Sequence, residues 1–179
     1  MGVRTAGDEG DSTLPRERGR TRSMGKVHAL EALVGAHPEA LADLYASGEL
    51  PGELADLEAR GRLLAIAGFS GVHALMRGAF ANFARAFPCR GQSFSASGTE
   101  GSHVLFGRAR TRFRCEPGAS QLDARDTLVL RHDGLGNSWP ASEFVCELRR
   151  VGERAVIGPC FRRRKNGEPR LAFWWGLEA

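Results

Sequence analysis

The chain reads as an α+β protein in which short N-terminal helices pack on an antiparallel barrel or half-barrel of six to eight strands. Two observations predict this. Apolar residues recur at helical spacing up to Pro88, and beyond it the period falls to two, with tight turns between short runs. The composition of the 179 residues, 42% apolar and 26% charged, belongs to a globular protein, and no apolar run approaches the roughly 18 residues that cross a bilayer.

Residues 1–24 hold only Val3 and Leu14 as sizeable apolar side chains before Met24, too few to offset the entropy of ordering them. We expect a disordered tail at 1–24, with Met24 as an alternative start, followed by one domain over 25–179 with a helical lead at 26–88 and a sheet at 91–178. In the lead, Val27, Leu30, Leu33 and Val34 mark one short helix. Leu41, Leu44 and Tyr45, after Pro38, mark a second that Gly48 and Pro51 end. Residues 61–68 are too continuously apolar for an amphipathic helix and are expected as a buried strand. Ser70 looks like the cap of the strongest helix, striped with Val72, Leu75, Met76, Phe80, Phe83 and Phe87 and closed by Pro88.

Strands are expected at 91–97, 102–106, 108–115, 126–132, 143–150, 154–163 and 170–177. Glu116-Pro117-Gly118 should end the third, and Asn166-Gly167 is the strongest hairpin signal. In the last strand Leu171, Phe173, Trp175 and Leu177 share the face expected inside. Trp174 falls on the other face, beneath the Val72 to Phe87 helix or in a pocket. Phe144, Cys146 and Leu148 alternate with Val145, Glu147 and Arg149 in the same way. Cys115 and Cys146 therefore read as small buried hydrophobes.

Four cysteines without a close pair argue against zinc and against a disulfide scaffold. Free thiols, a cytoplasmic chain, no metal and no cofactor are the expectation. Charge is uneven, with +2 on residues 1–26, −6 on 27–60 and +8 on 61–179. An acidic helical segment beside a basic sheet accounts for this. Arginines alternate at 108, 110, 112 and 114, but no exposed aromatic interleaves them and the 27–60 acids are available to neutralise them. The sequence therefore argues against nucleic acid as a partner.

Chemistry-bearing motifs are sparse. Glu143 and Glu147 lie about 13 Å apart along a strand, too far for paired carboxylates. Gly134-Leu135-Gly136 lacks the helix and third glycine of a phosphate loop, and Gly68-Phe69-Ser70-Gly71 is one residue short of a nucleophile elbow. His103, His132 and Asp133 remain as acid/base candidates, with His132-Asp133 where a strand meets its turn.

Gly61-Arg62-Leu63-Leu64-Ala65, Gly91-Gln92-Ser93-Phe94, Leu128 to Asp133, Glu147 to Val151, Ile157-Gly158 and Phe173 to Glu178 together resemble small bacterial proteins of unknown function with a lipocalin-like sheet, akin to those named for a GxWxG motif. The GxWxG element itself is absent here. The resemblance implies a lipocalin-like barrel or half-barrel and no particular activity.

An eight-stranded barrel just accommodates its own side chains or one small ligand. The first functional expectation is a cavity for a small hydrophobic molecule, with Phe113, Trp139, Phe144, Trp174 and Trp175 as wall and Asn137, Glu147 or Arg149 as orienting groups. The alternatives are an enzyme using His103 or His132 with Asp133 on a small hydrophobic substrate, and a basic surface that binds nucleic acid.

Overall fold

The computed structural model describes residues 30–68, 74–87, 89–164 and 167–178. The tail expected at 1–24, the proposed start at Met24 and the Ser70 cap lie outside the described residues.

Eight antiparallel strands close into a barrel in simple sequence order: β1 (Glu58–Ile66), β2 (Cys89–Phe94), β3 (Glu100–Leu105), β4 (Arg108–Ala119), β5 (Asp126–Arg131), β6 (Phe144–Arg150), β7 (Ala155–Arg163) and β8 (Pro169–Glu178). Closure comes from β1 pairing with β8, Gly61 opposite Leu177 and Arg62 opposite Gly176. The segment expected as a buried strand is thus the one that seals the barrel. A 3-10 turn (Leu30–Leu33) and α1 (Pro38–Ala46) precede β1, and α2 (Ala74–Ala86) connects β1 to β2. His37 caps α1 by accepting a hydrogen bond from the Glu39 N–H at 3.4 Å, and Pro38 occupies the first turn, where its missing N–H costs nothing.

The third strand runs further than Glu116-Pro117-Gly118 suggests. β3 stops pairing with β4 at the Glu100 and Arg114 pair, whereas β4 continues along β5 as far as Ala119 opposite Asp126. Pro117 therefore lacks a donor only on a side where no strand remains to receive one. β7 and β8 pair as antiparallel neighbours up to Arg163 opposite Pro169, with Gly167 at φ +86° between them; Asn166, the other residue of the expected turn, lies outside the described residues.

Alternation divides the apolar residues between two cores. Inside, Phe94, Phe113, Cys115, Leu130, Leu148 and Leu177 fill one part of the barrel. Phe80 and Ala84 of α2, and Phe87 just beyond it, pack with the same cluster. Outside, Leu64, Ile157 and Trp174 of the wall pack under Leu30, Leu41 and Tyr45. Trp174 meets Tyr45 of α1 edge-on at 5.8 Å, so its partner is the second helix of the lead rather than the helix before Pro88. The sequence shows that Trp174 faces out, but which helix covers it depends on the path of the chain around the barrel.

A buried polar network fastens α1 to the wall. Arg149, fully buried, donates through Nη1 and Nη2 to the two carboxylate oxygens of Asp123 at 2.6 and 2.7 Å. Its remaining N–H groups go to the carbonyls of Tyr45, Arg125 and Asp126, and its guanidinium lies 4.3 Å from the centre of the Tyr45 ring. All five donors are used. Glu147 accepts from Ser120 Oγ at 2.6 Å and from the Gln121 N–H at 2.8 Å, with Tyr45 Oη also 2.8 Å away. The Arg149 guanidinium holds the Asp123 carboxyl down to about 2.

The cysteines correct one expectation. Cys146 and Cys160 face each other across β6 and β7 and form a disulfide, while Cys89 and Cys115 are free and buried. The expectation of four free thiols missed that the hairpin register sets these two residues opposite each other. It also removes one support for a cytoplasmic location. No described helix is long and apolar enough to cross a membrane.

Removing the carboxylate that neutralises a buried guanidinium is expected to be costly. Asp123→Ala should destabilise the protein by about 3 kcal/mol or more, lowering the melting temperature by roughly 10 °C in a thermal scan at pH 7. An unchanged melting temperature would show that the network does not hold the helix.

Candidate functional site

The interior is only partly filled. Above the layer of Phe94, Phe113 and Leu130 lies a cavity of about 320 Å³, walled by Leu105, Thr111, Phe144, Phe173 and Trp175 together with His103 and His132. Cys89, the Cys146–Cys160 disulfide, Pro140, Ala141 and Phe87, just beyond α2 with its ring 6.2 Å from that of Trp175, complete the wall of a half-open space.

His103 on β3 and His132 just after β5 are 29 residues apart in sequence and meet inside the barrel. Their Nε2 atoms are 2.7 Å apart and their rings nearly parallel, at 13°. The proton positions follow from a single carbonyl. His132 Nδ1 lies 3.0 Å from the Phe144 oxygen, which can only accept, so this nitrogen carries the hydrogen. Neutral His132 then presents Nε2 as an acceptor, so His103 must donate from its own Nε2. That leaves His103 Nδ1 as an acceptor, 3.4 Å from Gln92 Nε2 and 3.7 Å from Cys89 Sγ.

Both rings are held neutral. Burial, reinforced by the neighbouring His132, pushes His103 down to about 3, and burial also lowers His132 against the opposing pull of the Phe144 carbonyl and Asp133. Burial raises the Cys89 thiol to about 11, so it is not a ready nucleophile. Because the ring nitrogens are occupied with one another and with Gln92 and Phe144, the pair offers the cavity mainly its ring faces and C–H edges. Four buried side-chain polar atoms have no hydrogen-bond partner among the described residues, the Gln92 carbonyl oxygen, Asp133 Oδ1 and the indole Nε1–H groups of Trp174 and Trp175.

The residues expected from the sequence fall into three places. Phe144, Trp175, His103 and His132 line the cavity. Phe113 lies against both histidine rings, at 5.1 and 5.9 Å, in the packed layer beneath. The others stand elsewhere. Asp133 pairs with Arg163 at 3.3 Å, and what His132 touches is His103, so no His–Asp dyad forms. Glu147 and Arg149 belong to the network on the outside of the wall, where their polar groups bind α1 and the turn between β4 and β5. Asn137 accepts from the Arg112 N–H at 2.9 Å and donates to the carbonyls of Arg112 and His132, both at 2.7 Å, clamping a loop to β4. Trp174 packs under α1, and Trp139 is exposed on the surface.

Sequence reasoning did not select Leu105, Thr111 or the disulfide as wall residues. Phe173 was legible, since it shares the inward face of β8 with Trp175. Among the described residues no group of three metal-ligating side chains converges.

No protein-family model matches the chain, and no curated protein matches it. Among solved structures, one described as the crystal structure of a protein from Thermomonospora curvata is similar, at 13% identity and a TM-score of 0.47 over 79% of this chain and 86% of that one. A likeness of that degree carries no argument.

The neutral histidines give the fold an acid limit. The folded pair resists protonation while the unfolded chain takes up protons near pH 6.5, so stability is complete above that pH and is lost as pH falls from about 6.5 towards 3. Urea titrations should show a fall of up to about 1.4 kcal/mol per pH unit for each histidine between pH 6 and 5, and a shallower fall in His103→Leu. A flat profile over that range would mean that the rings are already charged in the folded state.

Proposed function

We propose that the protein binds a small apolar or aromatic molecule inside its barrel, as a lipocalin-like binding protein. The observation that carries this reading is the half-open apolar cavity of about 320 Å³, walled by Phe87, Phe144, Phe173 and Trp175. Its size lies at the lower end of ligand pockets, and on the order of 10 to 15 non-hydrogen atoms fit it at interior packing density. A flat aromatic or a medium-length acyl chain has that volume. The histidine pair supports the same reading, since its nitrogens are engaged and its faces suit an aromatic neighbour. The resemblance to GxWxG-motif proteins belongs to this proposal as well.

Native mass spectrometry of freshly purified protein, followed by a fluorescence panel of flat aromatics and C8 to C12 fatty acids, tests it. We expect at least one compound to shift the emission of the buried Trp175. Ala141→Trp, which extends a large ring from the cavity rim, should weaken that compound at least tenfold without lowering the melting temperature. No response from any compound, or equal affinity in the Ala141→Trp protein, would reject an interior site.

A further inference from the structure

The outer rim of the barrel carries a second site that does not depend on the cavity. β7 ends in Arg162 and Arg163, Arg164 follows, and Arg170 stands on β8 directly opposite Arg162. Like charges directly opposed across a sheet are destabilising. Glu143 takes Arg162 at 2.7 Å and Asp133 takes Arg163 at 3.3 Å, while Arg164 and Arg170 have no acidic partner among the described residues. These arginines line an open groove of about 830 Å³, and Trp139 stands in it.

Trp139 is 71% exposed, an unusual place for the largest apolar side chain, and the Arg162 guanidinium lies 5.6 Å from its ring centre. The loop that presents it runs between two sets of arginines. On one side are those of β7 and β8. On the other, the Asn137 side chain binds both the N–H and the carbonyl of Arg112, and a Cβ on Gly134 would lie 3.6 Å from Arg114 Nη2. The loop that carries the exposed indole therefore touches two basic strands that the sequence separates by some 50 residues, β4 through Asn137 and β7 through Trp139 itself.

The two objections drawn from the sequence do not apply to this arrangement. The interleaving aromatic comes from a loop rather than from the arginine strand. Of the seven acids in residues 27–60, Glu31 pairs with Arg62 and Arg85 and Glu49 with Arg150, and none forms an ion pair with an arginine of this rim among the described residues. Glu100 takes Arg112, but Arg108, Arg110 and Arg114 have no acidic partner among the described residues.

We propose that this rim binds single-stranded nucleic acid, with an unpaired base stacked on Trp139 and flanking phosphates held by Arg164 and Arg170 on one side and Arg114 on the other. A basic track interrupted by a free aromatic face suits a strand whose bases are exposed, whereas a duplex hides its bases from such a platform. The guanidinium fork matches phosphate geometry.

The test is fluorescence anisotropy with a labelled 12-nucleotide oligouridine over a series of salt concentrations. We expect log K to fall linearly with log salt. Arg164→Gln with Arg170→Gln should make that slope shallower by about 1 to 1.5. Trp139→Ala should weaken binding about tenfold and Trp139→Phe should restore most of it. All of these side chains are on the surface, so the melting temperature should stay within 2 or so degrees of the parent, on the order expected of surface changes. Unchanged affinity in Trp139→Ala would overturn the proposal. So would equal competition by a 12-base-pair duplex, or by polyphosphate of matched charge, which would show an unspecific anion-attracting surface.

Discussion

The pairing of β1 with β8 is the constraint on which the rest depends. Without it the sheet would expose two long edges, and its inner face would have to be covered by something other than itself. With it, every strand has two neighbours and the inner face becomes an enclosed space. The seam needs close approach as well as hydrogen bonds. A Cβ on Gly61 would stand 2.1 Å from the Trp175 ring, so only glycine lets that indole lie across β1 and still wall the cavity. A similar economy holds at Gly101, where a Cβ would meet the Phe113 ring at 2.5 Å, in the layer that forms the cavity floor.

Polar groups are sorted by the wall. Outside it, Arg149 and Glu147 are buried under α1 with their hydrogen-bonding groups matched to carbonyls, a carboxylate, hydroxyls and backbone N–H groups. Such a network is set by the fold and leaves little for a guest to use. Inside it, the two histidines neutralise each other's hydrogen-bonding needs, so a part of the interior that looks polar in the sequence behaves as an aromatic surface. Charge is left to the rim, where the loop carrying Trp139 puts its tryptophan outside while the next residue, Pro140, lines the cavity.

Much of the barrel was legible because the two-residue period is a local signal. The expected runs lie close to the observed strands, and Phe173, Trp175 and Leu177 face inward as alternation predicts, but Leu171, expected on the same face, packs with the outer cluster because the β7–β8 register shifts between Phe173 and Leu171. Non-local facts were not legible. That His103 meets His132, that Cys146 meets Cys160 and that Trp174 meets Tyr45 depend on register and on the route of the chain around the barrel. Glu147 and Arg149, expected as orienting groups of a cavity, are instead buried beneath α1, and the alternation that set them against Cys146 and Leu148 already assigned them to the outer face. Pro117 misled, because a proline ends a strand only where a partner needs its N–H.

Amide hydrogen exchange resolved along the seam tests closure most directly. Residues Arg62 and Leu63 of β1, and Trp175 and Gly176 of β8, should be protected to about the same degree as the β6 and β7 amides, since all of them lie between two paired neighbours in a closed sheet. Rapid exchange confined to β1 and β8, with β6 and β7 still protected, would reveal an open sheet and would remove the enclosed interior from which the binding function is argued.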